Sequence, residues 1–273
     1  MTAGYEMFDL SGRVAVVTGA GNGIGRAIAA GFARMGAAVV AIDMADKASI
    51  PDGATYARAD VADRQAIVAV AERIARDHGR VDVLANVAGV AEFGLSADLS
   101  PEEWERTISV NMTGTFVCCQ TFGRIMLRQR RGKIINMGSR CGYVGLPFHI
   151  AYNASKAGIV SLTQTLAIEW GGHNINVNAI VPGFVRTNMT KDVVSDPAMC
   201  DVYARKIPLG RISEPEDLVG PAVFLASSAS DYVTGAVLAA DGGNLASGGV
   251  GAEIRNEHFR KLAQDRGDDR EPS

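Results

Sequence analysis

The chain alternates short apolar runs with longer segments in which apolar residues recur every three to four positions. The apolar runs have the length and composition of strands buried in a sheet, and they lie at residues 13–20, 37–43, 81–89, 132–139, 174–183 and 235–243. Helical spacing occupies residues 23–35, 64–78, 101–129, 151–171 and 215–228. This alternation predicts an α/β fold: one doubly wound parallel sheet with helices on both faces.

Residues that favour helix ends support these boundaries. Ser100-Pro101-Glu102-Glu103 offers a cap, a proline at the first helical position and acidic residues in the first turn, and residues 213–217 repeat the device. Gly36, Gly79 and Gly171-Gly172 follow helical segments, where we expect left-handed endings. Residues 187–212 lie outside the alternation and read as a loop with short helices.

Composition narrows the classes of partner. The 273 residues are 47% hydrophobic and 21% charged with a net charge of −3, which gives no general attraction to nucleic acid or to anionic membranes. The start has no secretory pattern and no apolar run reaches 18 residues, so we expect a cytoplasmic protein that binds small molecules. The four cysteines lack metal-ligand spacing, so we expect reduced thiols and no metal site.

A glycine-rich segment directly follows the first predicted strand. TGAGNGIG at residues 18–25 also opens the first predicted helix. Glycines at these positions allow a tight turn and let backbone N–H groups and a helix N-terminus approach a pyrophosphate. The predicted cofactor contacts in this turn are Gly19, Asn22, Gly23, Ile24 and Gly25.

The second predicted strand ends in Asp43. A carboxylate at that position accepts hydrogen bonds from the ribose hydroxyls of adenosine and repels a 2′-phosphate. Met44 follows, and neither Asn22 in the turn nor Met44 is a cation that would hold the phosphate. The sequence therefore favours NAD over NADP, with an ordinary turn carboxylate as the alternative interpretation of Asp43.

Two further strand ends belong to the same predicted cavity. Asp60 and Val61 end a short β-type run, where a side-chain oxygen could meet the adenine amino group. Asn86, Ala88 and Gly89 end the next strand, where small residues let the backbone pass close to a cofactor.

Tyr152 and Lys156 lie four residues apart in the predicted helix 151–171, so their side chains share one face. They are either a surface pair or a phenol whose pKa is lowered by a neighbouring cation. The ordinary pKa of a tyrosine, about 10, is too high for a base at neutral pH, so a depression of several units would equip Tyr152 for proton transfer. The pair alone does not decide between the two.

Taken in order, six motifs resemble those of the short-chain dehydrogenase/reductase family, over residues 8–244. They are TGAGNGIG, NVAG at 86–89, Asn111, Ser139, YNASK at 152–156 and PGFVRT at 182–187. The resemblance implies a single Rossmann-type domain that binds NAD or NADP and oxidises an alcohol or reduces a carbonyl. One departure is Val87, where the family often has a second asparagine; Asn86, credited with holding the central strand, is present.

The resemblance also implies roles for individual residues. Asn111, Ser139, Tyr152 and Lys156 would form the catalytic tetrad: Tyr152 transfers the proton, Lys156 favours the phenolate and anchors the cofactor ribose, Ser139 binds the substrate oxygen, and Asn111 holds a water that links Lys156 to solvent. Residues 135–139 would close one wall. Tyr152 and Lys156 would also contact the cofactor, whose nicotinamide would meet Pro182, Gly183, Val185 and Thr187.

The substrate is less well specified. Candidate pocket residues are Arg140, Cys141, His149 and Met189, and for His149 a loop hydrogen bond is an equal alternative. Polar side chains suit a sugar or polyol, whereas an acyl-chain or terpenoid/steroid ketone is the second candidate. A non-catalytic NAD-binding scaffold is a third, against which the intact Ser139, Tyr152 and Lys156 argue.

We therefore expect a dinucleotide-binding and catalytic domain at residues 1–244, with a substrate lid at about 187–212. Residues 245–273 form a C-terminal extension in which 252–263 has weak helical character, and it is either partly disordered or placed at a subunit interface. The family resemblance implies a homodimer or homotetramer through the helices predicted at 101–129 and 152–171, whose small residues between 154 and 161 permit close packing.

Overall fold

The computed structural model describes residues 6–44 and 50–248. The strands of this part are β1 (Val14–Thr18), β2 (Ala38–Asp43), β3 (Ala54–Arg58), β4 (Val83–Asn86), β5 (Gly132–Met137), β6 (Ile175–Pro182) and β7 (Val237–Ala240). The α-helices are α1 (Gly23–Arg34), α2 (Arg64–His78), α3 (Pro101–Ile108), α4 (Gly114–Gln129), α5 (Ile150–Gly171), α6 (Lys191–Val194), α7 (Pro197–Arg205) and α8 (Val219–Ala226).

All seven strands belong to one parallel sheet in the order β3-β2-β1-β4-β5-β6-β7. The chain runs outward from β1 to β3, then returns to the other side of β1 and continues to β7. The predicted doubly wound fold is confirmed. Because the strand order reverses between β1 and β4, a crevice opens at the carboxyl ends of these strands, where such sheets bind ligands.

Two apolar layers hold the helices against the sheet. One contains α2, α4 and α5 residues such as Ile67 and Phe122, and the other contains α1 and α8 residues such as Phe32 and Leu225. β1, β4 and β5 are buried along their whole length, as their uninterrupted apolar sequence predicts. β3 and β7 are partly exposed because each forms an edge of the sheet.

The predicted helix 101–129 is divided by a π-helical turn at Ser109–Thr113 into α3 and α4. The cap at its start is confirmed: the Ser100 hydroxyl accepts the Glu103 N–H, and the Glu103 carboxylate accepts the Ser100 N–H. At the second predicted helix start, residues 213–217, Glu214 rather than Ser213 is the capping residue, because a 3-10 turn at Pro215–Leu218 precedes α8.

The left-handed helix endings are confirmed at Gly36 (φ +90°) and Gly79 (φ +72°). The prediction was wrong at the end of α5, where Gly172 stays right-handed (φ −63°) and Asn174 is left-handed (φ +60°). The reversal comes later because the Asn174 N–H donates to the Gly171 carbonyl (2.9 Å), which extends the turn up to the start of β6.

Residues 187–212 contain a 3-10 turn at Asn188–Thr190, then α6 and α7. A parallel bridge between Val185 and Ser213 joins the two ends of this segment at its base. Of the C-terminal extension, only residues 245–248 are described, so the helical pattern at 252–263 lies outside the described residues. No helix in the described part of the chain is both long and apolar enough to span a membrane.

Candidate active site

A cavity of about 320 Å³ lies at the carboxyl ends of the central strands. It extends from the glycine turn after β1 to the start of α5. Every residue predicted to contact the cofactor lines it except Asn86. Asn86 lies in the core instead, where its Nδ2 donates to Asn136 Oδ1 (2.9 Å) and joins β4 to β5.

The glycine turn is shaped by contacts that exclude side chains. A Cβ at Gly25 would lie 2.1 Å from the Gly19 carbonyl oxygen, and a Cβ at Gly19 would lie 2.8 Å from the Ala88 backbone. Gly19 and Gly23 also adopt positive φ angles of +64° and +50°. The turn therefore requires glycine at all three positions, by contact or by conformation.

The N-terminus of α1 opens into this cavity. Its capping residue, Asn22, makes no side-chain hydrogen bond to the first turn, whereas Asp63 and Ser100 cap α2 and α3. The first-turn N–H groups of α1 are thus not occupied by a side-chain cap. Unfilled N–H groups at a helix N-terminus beside a glycine turn form a site for a phosphate group.

Asp43 lies at the far end of the same cavity. One of its carboxylate oxygens accepts the Gly21 N–H at 2.8 Å, which ties the end of β2 to the glycine turn. Asp60 lines the cavity nearby, and Lys156 is the one Lys or Arg among its described lining residues. The end of the cavity where we predict the adenosine therefore carries negative charge, and the opposite end carries positive charge.

Tyr152, Lys156 and Ser139 converge where α5 meets the end of β5, and all three line the cavity. The Lys156 ammonium donates to the Met137 carbonyl (2.8 Å) and lies 5.5 Å from the centroid of the Tyr152 ring. The side-chain placement that the Tyr-Lys spacing predicts is thus present, with both groups on one helix face.

The pKa values of this pair differ from the sequence-based expectation. Burial raises the pKa of Tyr152 to about 12, opposed by the Ser139 hydroxyl, which lowers it. Burial also lowers the pKa of Lys156 to about 8. The expected depression of the Tyr152 pKa by Lys156 is absent, because desolvation disfavours the phenolate and the ammonium alike.

Asn111 occupies the π-helical turn and is fully buried. Its amide accepts the Val90 N–H (2.8 Å) and donates to the Val90 carbonyl (2.9 Å) and to Ser155 Oγ (3.1 Å). A Cβ built on Gly89 would lie 3.2 Å from Asn111 Oδ1 and 3.7 Å from Lys156 Nζ, so these groups are close neighbours. The side chain clamps the loop after β4 to α5; a water held by Asn111 stays a prediction.

One of the four predicted substrate residues lines the cavity. Met189 lines the cavity, whereas Arg140, Cys141 and His149 do not. Cys141 is buried, and its backbone N–H donates to Ser139 Oγ (3.2 Å). His149 packs edge-to-face on Phe93, with 4.5 Å between ring centroids.

Several residues that shape the cavity were not foreseen from the sequence. Thr18 Oγ1 accepts the N–H groups of Val87 and Ala88 (3.0 and 3.2 Å), fixing the loop after β4. Val90 and Thr190 line the cavity from loop positions that carry no sequence signal. Thr18 does carry a sequence signal, since it is a polar residue at the end of an otherwise apolar strand.

These features fit a dinucleotide. The turn packs too closely on itself for a Cβ at Gly25, so its backbone can approach a pyrophosphate; the N-terminus of α1 beside it has no side-chain cap, and the Asp43 carboxylate lies at the end of β2, where a ribose would bind. The second end of the same cavity carries a phenol, an ammonium and a hydroxyl.

Comparisons with known proteins find similar reductases and dehydrogenases. A family model described as enoyl-(acyl carrier protein) reductase matches residues 19–244. D-threitol dehydrogenase of Mycolicibacterium smegmatis is 41% identical over 245 residues, which is 86% of this chain and 94% of that protein. NAD-dependent glycerol dehydrogenase of Listeria innocua is 40% identical over 242 residues, 86% of this chain and 95% of that protein.

Solved structures share the fold at similar coverage. A gluconate 5-dehydrogenase from Burkholderia cenocepacia, in complex with NADP and tartrate, is 33% identical with a TM-score of 0.84 over 88% of this chain and 98% of its own. A short-chain type dehydrogenase/reductase from Mycobacterium marinum is 32% identical with a TM-score of 0.81, at the same coverage. The chain therefore belongs to the short-chain dehydrogenase/reductase family of oxidoreductases.

Proposed function

We propose that this protein is an NAD-dependent dehydrogenase that interconverts a secondary alcohol and a ketone of sugar or polyol type. The observation that carries the proposal is the convergence of Ser139, Tyr152 and Lys156 at one end of a cavity whose other end presents Asp43. A scaffold that only bound a dinucleotide would have no need of the phenol, ammonium and hydroxyl.

The proposed chemistry is proton transfer beside a hydride carrier. A bound nicotinamide dinucleotide supplies the hydride acceptor and, in its oxidised form, a positive charge close to the phenol. As a phenolate, which the positive charge of an oxidised nicotinamide would favour, Tyr152 takes the hydroxyl proton of the alcohol; as the neutral phenol it gives its proton to the carbonyl oxygen in the reverse direction. Ser139 donates a hydrogen bond to the same oxygen and stabilises its developing charge.

Lys156 and Asn111 support this step. With its pKa lowered to about 8, Lys156 can exchange a proton near neutral pH, and its ammonium is held by the Met137 carbonyl. Asn111 acts as a positioning residue, because its amide fixes the loop carrying Val90 against α5. The nicotinamide end of the cavity is closed in this proposal by Pro182, Gly183, Val185 and Thr187.

The preference for NAD rests on the charge of the adenosine end. Asp43 and Asp60 line it, and a 2′-phosphate placed beside the Asp43 carboxylate would be repelled. Arg58 lies in register with Asp43 on β3, yet its Nε donates to the Met44 carbonyl (3.2 Å) and it does not line the cavity. The glycerol dehydrogenase relative is named as NAD-dependent, whereas the gluconate 5-dehydrogenase structure holds NADP.

The substrate class rests on the relatives together with the polar residues near Tyr152. D-threitol, glycerol and gluconate dehydrogenases are all similar to this chain over most of its length. In the proposal, residues 187–212 form a lid over the substrate. Met189 and Thr190 at the start of that segment already line the cavity.

The experiment is a panel of secondary alcohols and the corresponding ketones, including threitol, glycerol and gluconate, assayed with NAD and with NADP in both directions. We expect NADH absorbance with at least one polyol. Tyr152→Phe should lower kcat by about a thousandfold or more, which is the scale of general acid–base catalysis, since the proton of the alcohol then has no acceptor.

Binding of NAD to the Tyr152→Phe protein, measured by calorimetry, should persist, because the phosphate and ribose contacts are intact. Unchanged turnover in that variant would overturn the mechanism. Equal use of NADP by the wild type would overturn the cofactor preference. NAD binding without turnover of any alcohol or ketone would favour the scaffold, and turnover confined to acyl-chain or steroid ketones would favour the second substrate class.

A further inference from the structure

A second cleft lies at the edge of the sheet opposite the candidate active site. Its volume is about 200 Å³, and its lining residues lie at or beside the amino ends of β1, β4, β5 and β6. The charged residues among them are Arg13, Asp82, Arg131, Lys133 and Asp231. None of these lines the cavity at the carboxyl ends of the strands. The cleft is therefore separate from the proposed cofactor and substrate site.

Both carboxylates of the cleft are already engaged. Asp82 accepts the Val14 N–H (2.9 Å) and two hydrogen bonds from the guanidinium of Arg80. Asp231 forms an ion pair with the buried Lys133 ammonium (2.8 Å). Among the described residues that line the cleft or pair with its carboxylates, four cations thus meet two carboxylates. The cleft carries an excess of positive charge.

The two arginines that line the cleft keep most of their donors free. The exposed Arg131 guanidinium makes no hydrogen bond or ion pair with any residue in the ranges 6–44 and 50–248. Within the same ranges, the Arg13 guanidinium makes one hydrogen bond, to the Ala226 carbonyl (2.8 Å). Since a guanidinium has five N–H groups, both side chains can donate further bonds.

The cations of the cleft are close enough to repel one another. Burial lowers the pKa of Arg13 and that of Lys133, and the positive charge of Arg131 lowers both of these pKa values further. Asp231 opposes the shift at Lys133 without cancelling it. An anion held between these groups would relieve the repulsion, and a phosphate group matches the paired donors of a guanidinium.

We propose that the cleft between Arg13, Arg131 and Lys133 binds the phosphate group of a small anion. Two guanidinium groups and an ammonium supply charge-assisted donors, and the exposed Asn174, which also lines the cleft, supplies a neutral amide donor. The ligand is inorganic phosphate or a small phosphate ester. The inference goes beyond the proposed dehydrogenase function and does not depend on it, because the two sites lie at opposite edges of the sheet.

Calorimetric titration with inorganic phosphate tests the site, with the protein saturated with NAD so that the glycine turn is occupied. At an ionic strength held constant with sodium chloride, wild type should bind a single phosphate with a Kd of about 1 mM or below. Sulfate should compete with it. Arg131→Gln should raise this Kd by about tenfold or more, since charge-assisted hydrogen bonds are lost. Arg131→Lys, which keeps the charge, should recover part of the affinity.

Arg128→Gln is the matched control, because it removes the same charge from an exposed arginine of α4 that does not line the cleft. It should bind phosphate as wild type does, and without phosphate it should melt at the same temperature as Arg131→Gln.

Glycerol 3-phosphate, titrated in the same way, distinguishes the two sources of the phosphate group. Tighter binding than inorganic phosphate, lost in Arg131→Gln, supports the site with an ester as its ligand; equal or weaker binding supports it with free phosphate. A wild type that binds neither anion would reject the site. Equal affinities of Arg131→Gln and Arg128→Gln would reject it as well.

Discussion

At the scale of the residue, Lys156 shows what sequence spacing conveys and what it omits. The interval to Tyr152 predicted two side chains on one helix face, and both line the cavity. The pattern could not show that Lys156 is buried and Tyr152 half-buried where α5 meets β5, so it led us to expect a charge that lowers the Tyr152 pKa. Burial instead raises the pKa of Tyr152 to about 12 and lowers that of Lys156 to about 8.

This burial makes stability depend on pH. In the unfolded chain Lys156 holds its proton up to its ordinary pKa near 10.5, whereas the folded protein releases it above about 8. Between these values the unfolded state binds one more proton, so this residue's contribution to the free energy of unfolding rises with pH and is lost as pH falls through 8. Relative to Lys156→Met, the wild type should gain about 1.4 kcal/mol for each pH unit in this window.

Urea unfolding of both proteins without nucleotide, at pH 8, 9 and 10, measures the difference. The comparison with Lys156→Met is needed because other groups also change protonation on unfolding in this pH range. Burial raises the pKa of the Cys119 thiol, for example, from 9.0 to about 12. Lys191→Met, which changes an exposed lysine of α6, should keep the wild-type pH dependence. A constant difference between wild type and Lys156→Met would show that Lys156 is not buried as described.

At the scale of the element, the sequence predicted best where a local rule decides. The Ser100 cap and the glycine turn were located correctly, because each depends on residues next to each other in the chain. The π-helical turn at Asn111 was not, and the Asn111 side chain binds Val90 and Ser155, which are distant in sequence. The predicted left-handed ending at Gly172 was wrong for a similar reason: the chain reverses at Asn174, where it enters β6.

The turn between β1 and α1 provides a test of this local rule. In Gly25→Ala the new Cβ would lie 2.1 Å from the Gly19 carbonyl oxygen, so the turn must move away from its phosphate-binding shape. We expect a loss of about 1–3 kcal/mol in the free energy of unfolding and a rise in the Kd for NAD of about tenfold or more. Calorimetric titration and urea unfolding measure the two effects.

Gly220→Ala is the control, because a Cβ at that position in α8 would meet nothing within 4 Å. It should stabilise the protein by about 0.5–1 kcal/mol and leave NAD affinity unchanged. If Gly25→Ala bound NAD as tightly as Gly220→Ala, the close packing of the glycine turn would not be needed for the cofactor.

At the scale of the whole molecule, the fold followed from alternation alone, whereas the cavity required the sheet order. Strand ends far apart in sequence, such as Asp43 and Ser139, line one cavity because their parallel strands end at the same edge of one sheet. The positions of the predicted substrate residues were harder to predict. Arg140, Cys141 and His149 adjoin Ser139 or Tyr152 in sequence, yet the loop conformation takes them off the cavity lining.

Quaternary structure is the remaining prediction at this scale, and it rests on the surface of α5. Exposed residues follow one side of this helix at intervals of three to seven positions: Ala154, Ala157, Ser161 and Ile168, of which Ile168 is 83% exposed. Small residues allow close helix packing and an exposed isoleucine favours burial, so we propose that two copies pair through α4 and α5.

Ile168→Arg should shift the wild-type dimer or tetramer to a smaller species in sedimentation velocity, since a dimer interface does not accommodate a buried unpaired charge. Ala69→Arg, an apolar-to-arginine change on the exposed side of α2, should keep the wild-type mass. A monomeric wild type, or an Ile168→Arg protein of unchanged mass, would exclude this face as the interface.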